Sequence, residues 1–375
     1  MSVLQELDHI QKLLFAKADG DQIAHQELLE AIRRLQLSMM QNIAVRIAVE
    51  RRWLHVIAAA NGKPVQAAEI AKETTDDAQF VMRILQFLAV IGLCDEDGGG
   101  AYVANERTNF HALSGSMAAV KTTYDLFFPM AGRLVDYMRG PGLKSDAESL
   151  SKFTYGVDHV FELMENDPQL KKIFDEYMFV EQQWFPFAWF EIYPPAQALA
   201  SLACDPSHPL IVDLGGGRGQ NLIRFKQQYP DYPGRLILQD LPSTVEGISE
   251  LPDGIEAMGH DFFTPQPVHG ASIYLFRHAI HDWSDPQAEH ILRQLVPAMD
   301  REKSTLLIID RVMPEEGAKL RDVELDMLMW LAVGGIERTE TQWEQLLRNV
   351  GLELINVWRS PKLGDSVLEA RLAGR

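Results

Sequence analysis

The chain has 375 residues, 46% of them hydrophobic, enough for two or three structural units with full cores and incompatible with a disordered polypeptide. Its 53 acidic against 35 basic residues give a formal charge of −18, which argues against nucleic acid or an anionic membrane as a partner and is read as solubility. Two cysteines, Cys94 and Cys204, are too few for a disulfide framework or a zinc cluster. With no signal peptide at the N-terminus and no apolar run of about twenty residues, a cytoplasmic protein is expected.

Residues 3 to 60 are helical by periodicity: Val3, Leu4, Leu7, Ile10, Leu13 and Leu14 form one stripe, extended by Leu28, Leu29, Ile32, Leu35, Leu37 and Met40. Two shorter helices, Val65 to Lys72 and Asp76 to Ile91, are divided by an N-cap region at Thr74 to Asp77. Gly92 to Val103 reads as two small strands around a glycine tip, which completes a winged-helix-like unit. Such a unit suggests DNA, but its second and third helices offer only Lys72 and Arg83 among several acids, a poor surface for phosphates. The expected role is packing against a second copy of the chain. The apolar stripes of residues 1 to about 110 exceed what one small domain can cover, so a homodimer with interlocked helices is expected.

From Phe110 to Leu202 the chain stays helical and becomes rich in aromatics and Met, including Tyr124, Phe161, Phe174, Met178 and Trp184. Turns fall at Gly140-Pro141-Gly142 and Asn166-Asp167-Pro168. Most of these side chains are core; together they can also wall a flat apolar pocket.

Beyond residue 206 strand and helix alternate. Strands are expected at 210 to 214, 235 to 239, 255 to 258, 271 to 276, 304 to 309, 352 to 358 and 366 to 371. Helices are expected at 220 to 229, 243 to 249, 286 to 299, 322 to 333 and 339 to 350. This pattern implies an α/β domain with a mostly parallel sheet covered on both faces, whose ligands sit at the carboxyl ends of the strands.

The first of these strands, Leu210-Ile-Val-Asp213, breaks into Leu214-Gly-Gly-Gly-Arg-Gly219. Gly215, Gly217 and Gly219 let a ligand lie against bare backbone, in front of the N-terminus of the following helix. The G-x-G-x-G spacing, with Gln220 where dinucleotide enzymes have the last glycine, points toward S-adenosylmethionine rather than NAD. Asp213 is placed to accept from the turn or from a ligand ammonium, and Asp240, closing the next strand, to accept the two hydroxyls of a ribose.

After the fourth strand comes Phe276-Arg-His-Ala-Ile-His-Asp-Trp-Ser-Asp285, with His278, His281, Asp282 and Trp283 within six residues. A neutral imidazole there can take a proton from a phenol or enol. Asp310 ends the fifth strand and Glu337 precedes a helix capped by Thr339. Either acid alone can be a turn residue or a helix-start charge; at this edge, each can also orient an imidazole and stabilise its protonated form.

Taken jointly, Asp213-Leu-Gly-Gly-Gly-Arg-Gly219, Gln239-Asp-Leu-Pro242, Gly259-His-Asp-Phe262, His281-Asp-Trp-Ser-Asp285 and Gly334-Gly-Ile-Glu-Arg-Thr339 resemble the motifs of the two-domain, S-adenosylmethionine-dependent O-methyltransferases of plant and fungal natural-product pathways. The resemblance implies a winged-helix-like dimerisation domain over 1–112, a helical connection lining the substrate pocket over 113–205, and a Rossmann-like class I methyltransferase domain over 206–375. It implies His281 as general base flanked by Asp310 and Glu337. For the cofactor it implies Asp213, Gly215, Gly217, Asp240, Leu241, Asp261, Phe262, Arg277 and Trp283. For the acceptor it implies Phe174, Met178, Asp282 and Met329. The chemistry needs no metal. Two departures stand out: plant lignin-pathway enzymes carry His and Asn where this chain has Glu181 and Ala332-Val333, and Asp310 stands where the family commonly has Glu. The expected function is methylation of a phenol or enol hydroxyl on a small aromatic or polyketide-like natural product, releasing S-adenosyl-L-homocysteine. The alternative is a cyclisation or rearrangement in the same fold, with the cofactor bound and no methyl transferred.

Overall fold

The structure is a computed structural model that describes residues 39–140, 149–184, 187–194, 205–248, 250–360 and 365–374. The stripe from Val3 to Leu37, Pro141, Gly142, Cys204 and the side chains of Glu181 and Trp184 lie outside the described residues. The chain forms two compact units, meeting in sequence at Leu126 and Phe127.

In the first unit, a helix over 39–50 is separated from α1 (Trp53–Ala59) by Arg52, whose φ of 59° breaks the helix. Trp53 is fully buried, and its indole N–H donates to Asp76 Oδ2 at 2.8 Å, tying α1 to the connection between α2 (Ala67–Thr74) and α3 (Ala78–Val90). Asp77 caps α3 by accepting from Phe80 N at 2.8 Å, satisfying one of the helix's unpaired amides. The small sheet has the order β1 (Val65–Gln66), β3 (Ala101–Val103), β2 (Asp95–Gly98). Val65 and Gln66, expected to begin a helix, are instead a strand, because their backbone is claimed by pairing with Tyr102 and Ala101.

The second unit holds a seven-stranded sheet of β4 (Pro209–Leu214), β5 (Arg235–Asp240), β6 (Ile255–Gly259), β7 (Ile273–Arg277), β8 (Thr305–Asp310), β9 (Leu352–Arg359) and β10 (Ser366–Leu372). Its order is β6-β5-β4-β7-β8-β10-β9, parallel except for β10, which runs antiparallel to both neighbours. The central strands are apolar on both faces, as parallel strands sandwiched between helices must be. Val212, Tyr274, Phe276, Leu306 and Ile308 face α6 (Asp285–Leu295) and α8 (Glu340–Asn349) through Ile291, Leu292 and Trp343. Ile211, Ile273, Leu275, Leu307 and Ile309 face α5 (Gln220–Gln228) and a short helix over Trp189–Ile192 through Leu222, Phe225 and Trp189. Each such fully buried aliphatic side chain contributes about 2 kcal/mol.

The strand order reverses between β4 and β7, so their carboxyl ends leave a crevice where the glycine turn and the 278–283 loop emerge. Two further helices border this edge, α4 (Pro168–Trp184) and α7 (Leu320–Val333). No helix among the described residues is long and apolar enough to cross a membrane.

Candidate active site

The glycine turn folds back over the end of β5: the amides of Gly215 and Gly216 both donate to Gln239 O, at 2.8 and 3.1 Å. Gly216 lies directly on Asp213, where a Cβ would come within 2.7 Å of the carboxyl carbon and 2.5 Å of Leu238 Cδ1. Asp213 is therefore sealed beneath the turn; burial pushes its carboxyl up to about 7, and its Oδ2 accepts from Asn221 Nδ2 at 3.4 Å. Among the described residues its buried Oδ1 has no hydrogen-bond partner.

Asp240 stands across the turn. Its two oxygens accept one backbone amide each, Gly217 N at 2.9 Å and Leu241 N at 2.8 Å, which leaves lone pairs for further donors. Burial raises its carboxyl above the usual range, only partly offset by those two amides, the Thr244 side chain and the charge of Lys171. Asp261 accepts from Phe263 N at 2.9 Å, and the adjoining Phe262 ring lies where a Cβ on Gly215 would meet it at 3.4 Å. Arg277, at the end of β7, is buried; it donates to Asn221 Oδ1 at 3.1 Å and faces Asp365 Oδ2 at 3.5 Å. Arg218 in the turn faces Glu176 at 3.7 Å, so α4, the helix that carries Phe174 and Met178, reaches the turn.

His281 lies in a single 3-10 turn, Ile280–Asp282, and is buried. Its Nδ1 is 3.1 Å from Glu337 Oε1 and 3.5 Å from Asp310 Oδ1, while Nε2 is 3.5 Å from Asp282 Oδ1. Burial alone would pull the imidazole down, but the charges of Asp310 and Asp282 and the bond to Glu337 hold it well above its ordinary value of 6.5. Burial in turn raises the carboxyls, Asp310 to about 7 and Asp282 to about 6. Imidazole and acids thus form one proton-sharing cluster.

Glu337 is delivered by a tight approach of two backbones. Gly334 ends α7 in a left-handed conformation, φ 70°, which turns the chain toward the His281 loop. Gly335 then lies so close that a Cβ would collide with the His281 carbonyl oxygen, and Ile336 N donates to that oxygen at 2.8 Å. The Glu337 amide donates to Asp326 Oδ1 of α7 at 3.0 Å. Next to it, the fully buried Arg338 donates to Trp283 O at 2.8 Å and Asp285 Oδ1 at 2.9 Å, and its guanidinium lies 5.1 Å from the Trp343 ring. The result is a clasp on the segment that carries His281.

Trp283 is packed among rings: His159 stacks on it at 4.6 Å and 23°, and Phe263 meets it edge-on at 4.7 Å. Phe161 joins Trp283 to Phe174 at 6.2 and 6.1 Å. Met178 lies one turn beyond Phe174 on α4, and Met329 is on α7, both half-buried. The structure therefore gathers His281, Asp310, Glu337 and Asp282 into contact, and sets Asp213, Gly215, Gly217, Asp240, Leu241, Asp261, Phe262 and Arg277 around the turn. Sequence reasoning missed Asn221, Arg338 and Asp365 as parts of this arrangement, and passed over His159. Only the Arg338 position carried a signal, by standing next to Glu337 in the quoted motif.

Residues 142–353 match the family model described as an O-methyltransferase domain. Demethylsterigmatocystin 6-O-methyltransferase of Aspergillus parasiticus is 32% identical over 366 residues, which cover 92% of this chain and 93% of that one. Among solved structures, LepI in complex with SAM is similar with a TM-score of 0.83 and 28% identity, covering 99% of this chain and all of that one. A structure described as "A Pericyclic Reaction enzyme" is similar at the same TM-score of 0.83, with 28% identity and 98% of this chain covered.

Proposed function

The chain belongs to the S-adenosylmethionine-dependent O-methyltransferases of natural-product biosynthesis, and from that premise we propose that it methylates a phenol or enol hydroxyl of a small aromatic or polyketide-like compound, with His281 as general base. The observation that carries this reading is the buried His281 held against Glu337 and Asp310 beside the glycine turn. A relative named for methylating demethylsterigmatocystin supports an acceptor of that general kind. The direct test is stoichiometry: each acceptor consumed should yield one product heavier by a methyl group and one S-adenosylhomocysteine.

The residues present fit the cofactor. Gly215 and Gly217 offer bare backbone, Asp240 presents a carboxylate with acceptor capacity beyond its two backbone amides, Phe262 supplies an apolar face, and the buried Asp213 Oδ1 has no hydrogen-bond partner among the described residues. Bound S-adenosylmethionine supplies a sulfonium methyl group to the acceptor oxygen. His281 takes the hydroxyl proton, and Asp310, Asp282 and Glu337 stabilise the imidazolium that results. Phe174, Met178 and Met329 exclude water and hold the acceptor's ring system, while Trp283 serves the cofactor, so that much of the rate comes from alignment.

Replacing Asp240 with alanine removes a charged acceptor from two ribose hydroxyls and should weaken S-adenosylhomocysteine by roughly 1.5–3 kcal/mol. Calorimetry checks it, and unchanged affinity would remove Asp240 from the cofactor site.

The raised His281 value sets a pH dependence. A protonated imidazole cannot take a proton, so kcat/KM is low below the His281 pKa and rises as pH climbs through it, with its midpoint above 6.5. Ionisation of Asp282 near 6 and Asp310 near 7 adds negative charge in the same window and pushes that midpoint upward. The profile should be measured with an acceptor too weakly acidic to ionise by itself; a midpoint at or below 6.5 would contradict the cluster's role.

A second reading has support of its own. An imidazole held protonated is a hydrogen-bond donor, and the likeness to an enzyme described as pericyclic is as high as to LepI bound to SAM. In that reading His281 donates to a carbonyl and steers a cyclisation or rearrangement, giving an isomerised product and no S-adenosylhomocysteine.

We also propose a homodimer built on the first unit. Support comes from its exposed apolar side chains, among them Phe80, Val90, Phe110 and Leu113. Sedimentation at micromolar concentration should show a dimer; a fully active monomer would overturn this.

A further inference from the structure

The loop that carries His281 presents the carbonyls of residues 280 to 283 in succession, and the segment that delivers Glu337 takes three of them. Ile280 O accepts from Arg338 Nη1 at 3.4 Å, His281 O from Ile336 N at 2.8 Å, and Trp283 O from Arg338 Nη2 at 2.8 Å. The fourth, Asp282 O, stands beside the imidazole of His159, which comes from a distant part of the chain. So does Val333 O, the last carbonyl of α7, whose place at the helix end gives it no intrahelical amide to accept from. Gly334, the next residue, begins the turn toward Glu337.

The His159 ring is held from several sides. It begins the helix Val160–Asn166, where Glu162 Oε1 accepts from His159 N at 3.0 Å and the ring's Nδ1 accepts from Phe161 N at 3.3 Å. Its face stacks on Trp283 at 4.6 Å and 23°. The adjoining Val160 is buried in a cluster against Leu331 and Val333 of α7. An Nδ1 that accepts leaves the ring's proton on Nε2. Burial pulls the imidazole below its ordinary value of 6.5, opposed by the Val333 and Asp282 carbonyls, so at neutral pH the ring is uncharged and carries that one N–H. Nε2 is buried, and among the described residues it closes no hydrogen bond of normal length. A buried donor beside two carbonyls gains stability by drawing them in.

We propose that His159 is a positioning residue for the base: its Nε2–H gathers Asp282 O from the His281 loop and Val333 O from the end of α7, and so sets the distance between His281 and Glu337. Arg338 fastens the Glu337 segment to the loop just after Glu337, and His159 fastens it just before Gly334, so the segment is anchored at both ends. This rests on the reading that His281, held by Glu337, is the base.

Three substitutions separate the parts of the ring. His159→Gln keeps an N–H about as far along the side chain as Nε2, His159→Asn ends near Nδ1 and retains only the cap, and His159→Phe retains only the stacking face. Hydrogen exchange followed by mass spectrometry, on the full chain saturated with S-adenosylhomocysteine, reads the clasp without turnover: the Ile336 amide, bonded to His281 O, is its reporter. In His159→Asn and His159→Phe this amide should exchange about tenfold faster than in the wild type, the size of one net hydrogen bond. His159→Gln should restore most of the protection. Turnover at saturating acceptor should fall in the same order with KM little changed, and His159→Phe should bind S-adenosylhomocysteine as the wild type does, because its ring still covers Trp283. Recovery by His159→Asn but not by His159→Gln would reduce His159 to a helix cap and overturn the proposal, as would wild-type exchange of Ile336 in His159→Phe. Exchange in the expected order, from a protein that yields no methylated product, would support the clasp and overturn methyl transfer instead.

Discussion

His281→Ala lowers turnover by about two to four powers of ten and leaves the affinity for S-adenosylhomocysteine unchanged. The selectivity of the loss follows from the geometry: His281 touches Glu337, Asp310 and Asp282, whereas the glycine turn is held by Gln239 O and Asp240. The deficit should shrink at high pH, where the acceptor ionises without help. Turnover followed by S-adenosylhomocysteine release, with calorimetry alongside, measures both parts. A parallel fall in cofactor affinity would mean that the substitution acts through the fold.

Gly335→Ala is expected to be as damaging, for a purely steric reason. The added methyl runs into the His281 carbonyl oxygen and comes within 2.9 Å of Asp282 Cα, both backbone atoms that a rotamer change cannot move aside. The two segments must separate, which breaks the bond from Ile336 N and draws Glu337 away from His281. A displacement of about 1 Å at a catalytic group costs on the order of a hundredfold in rate. Gly334→Ala is the control: nothing lies within 4 Å of its added Cβ, and only the φ of 70° penalises it, by about 1 kcal/mol. Comparable rates in the two variants would show that the close approach at Gly335 does not set the catalytic geometry.

The α/β half of the fold was legible because its strands are short β-branched runs closed by turn residues; every expected strand from 210 onward is found, with ends shifted by at most about two residues. The carboxyl-edge rule then led to Asp240, His281 and Asp310. That same rule hid Asp365. It precedes β10, the one reversed strand, so it reaches the ligand edge from a strand's beginning, opposite Asp310 in register through Ser366. Hydropathy does not distinguish a reversed strand from a parallel one. Arg338 was hidden differently: its partners are the carbonyls of Ile280 and Trp283 and the carboxylate of Asp285, and backbone acceptors leave no mark in a sequence. His159 sits at an unremarkable helix start, and its stacking on Trp283 depends on tertiary packing alone.

The central claim, methyl transfer with His281 as base, is tested most directly by mass spectrometry of phenolic acceptors incubated with S-adenosylmethionine carrying a labelled methyl group, using wild-type protein and His281→Ala at neutral pH. The account predicts labelled product from the wild type and a loss of two or more powers of ten in its rate of formation from the variant. An isomerised, unlabelled product, or equal labelling by the variant, would contradict it.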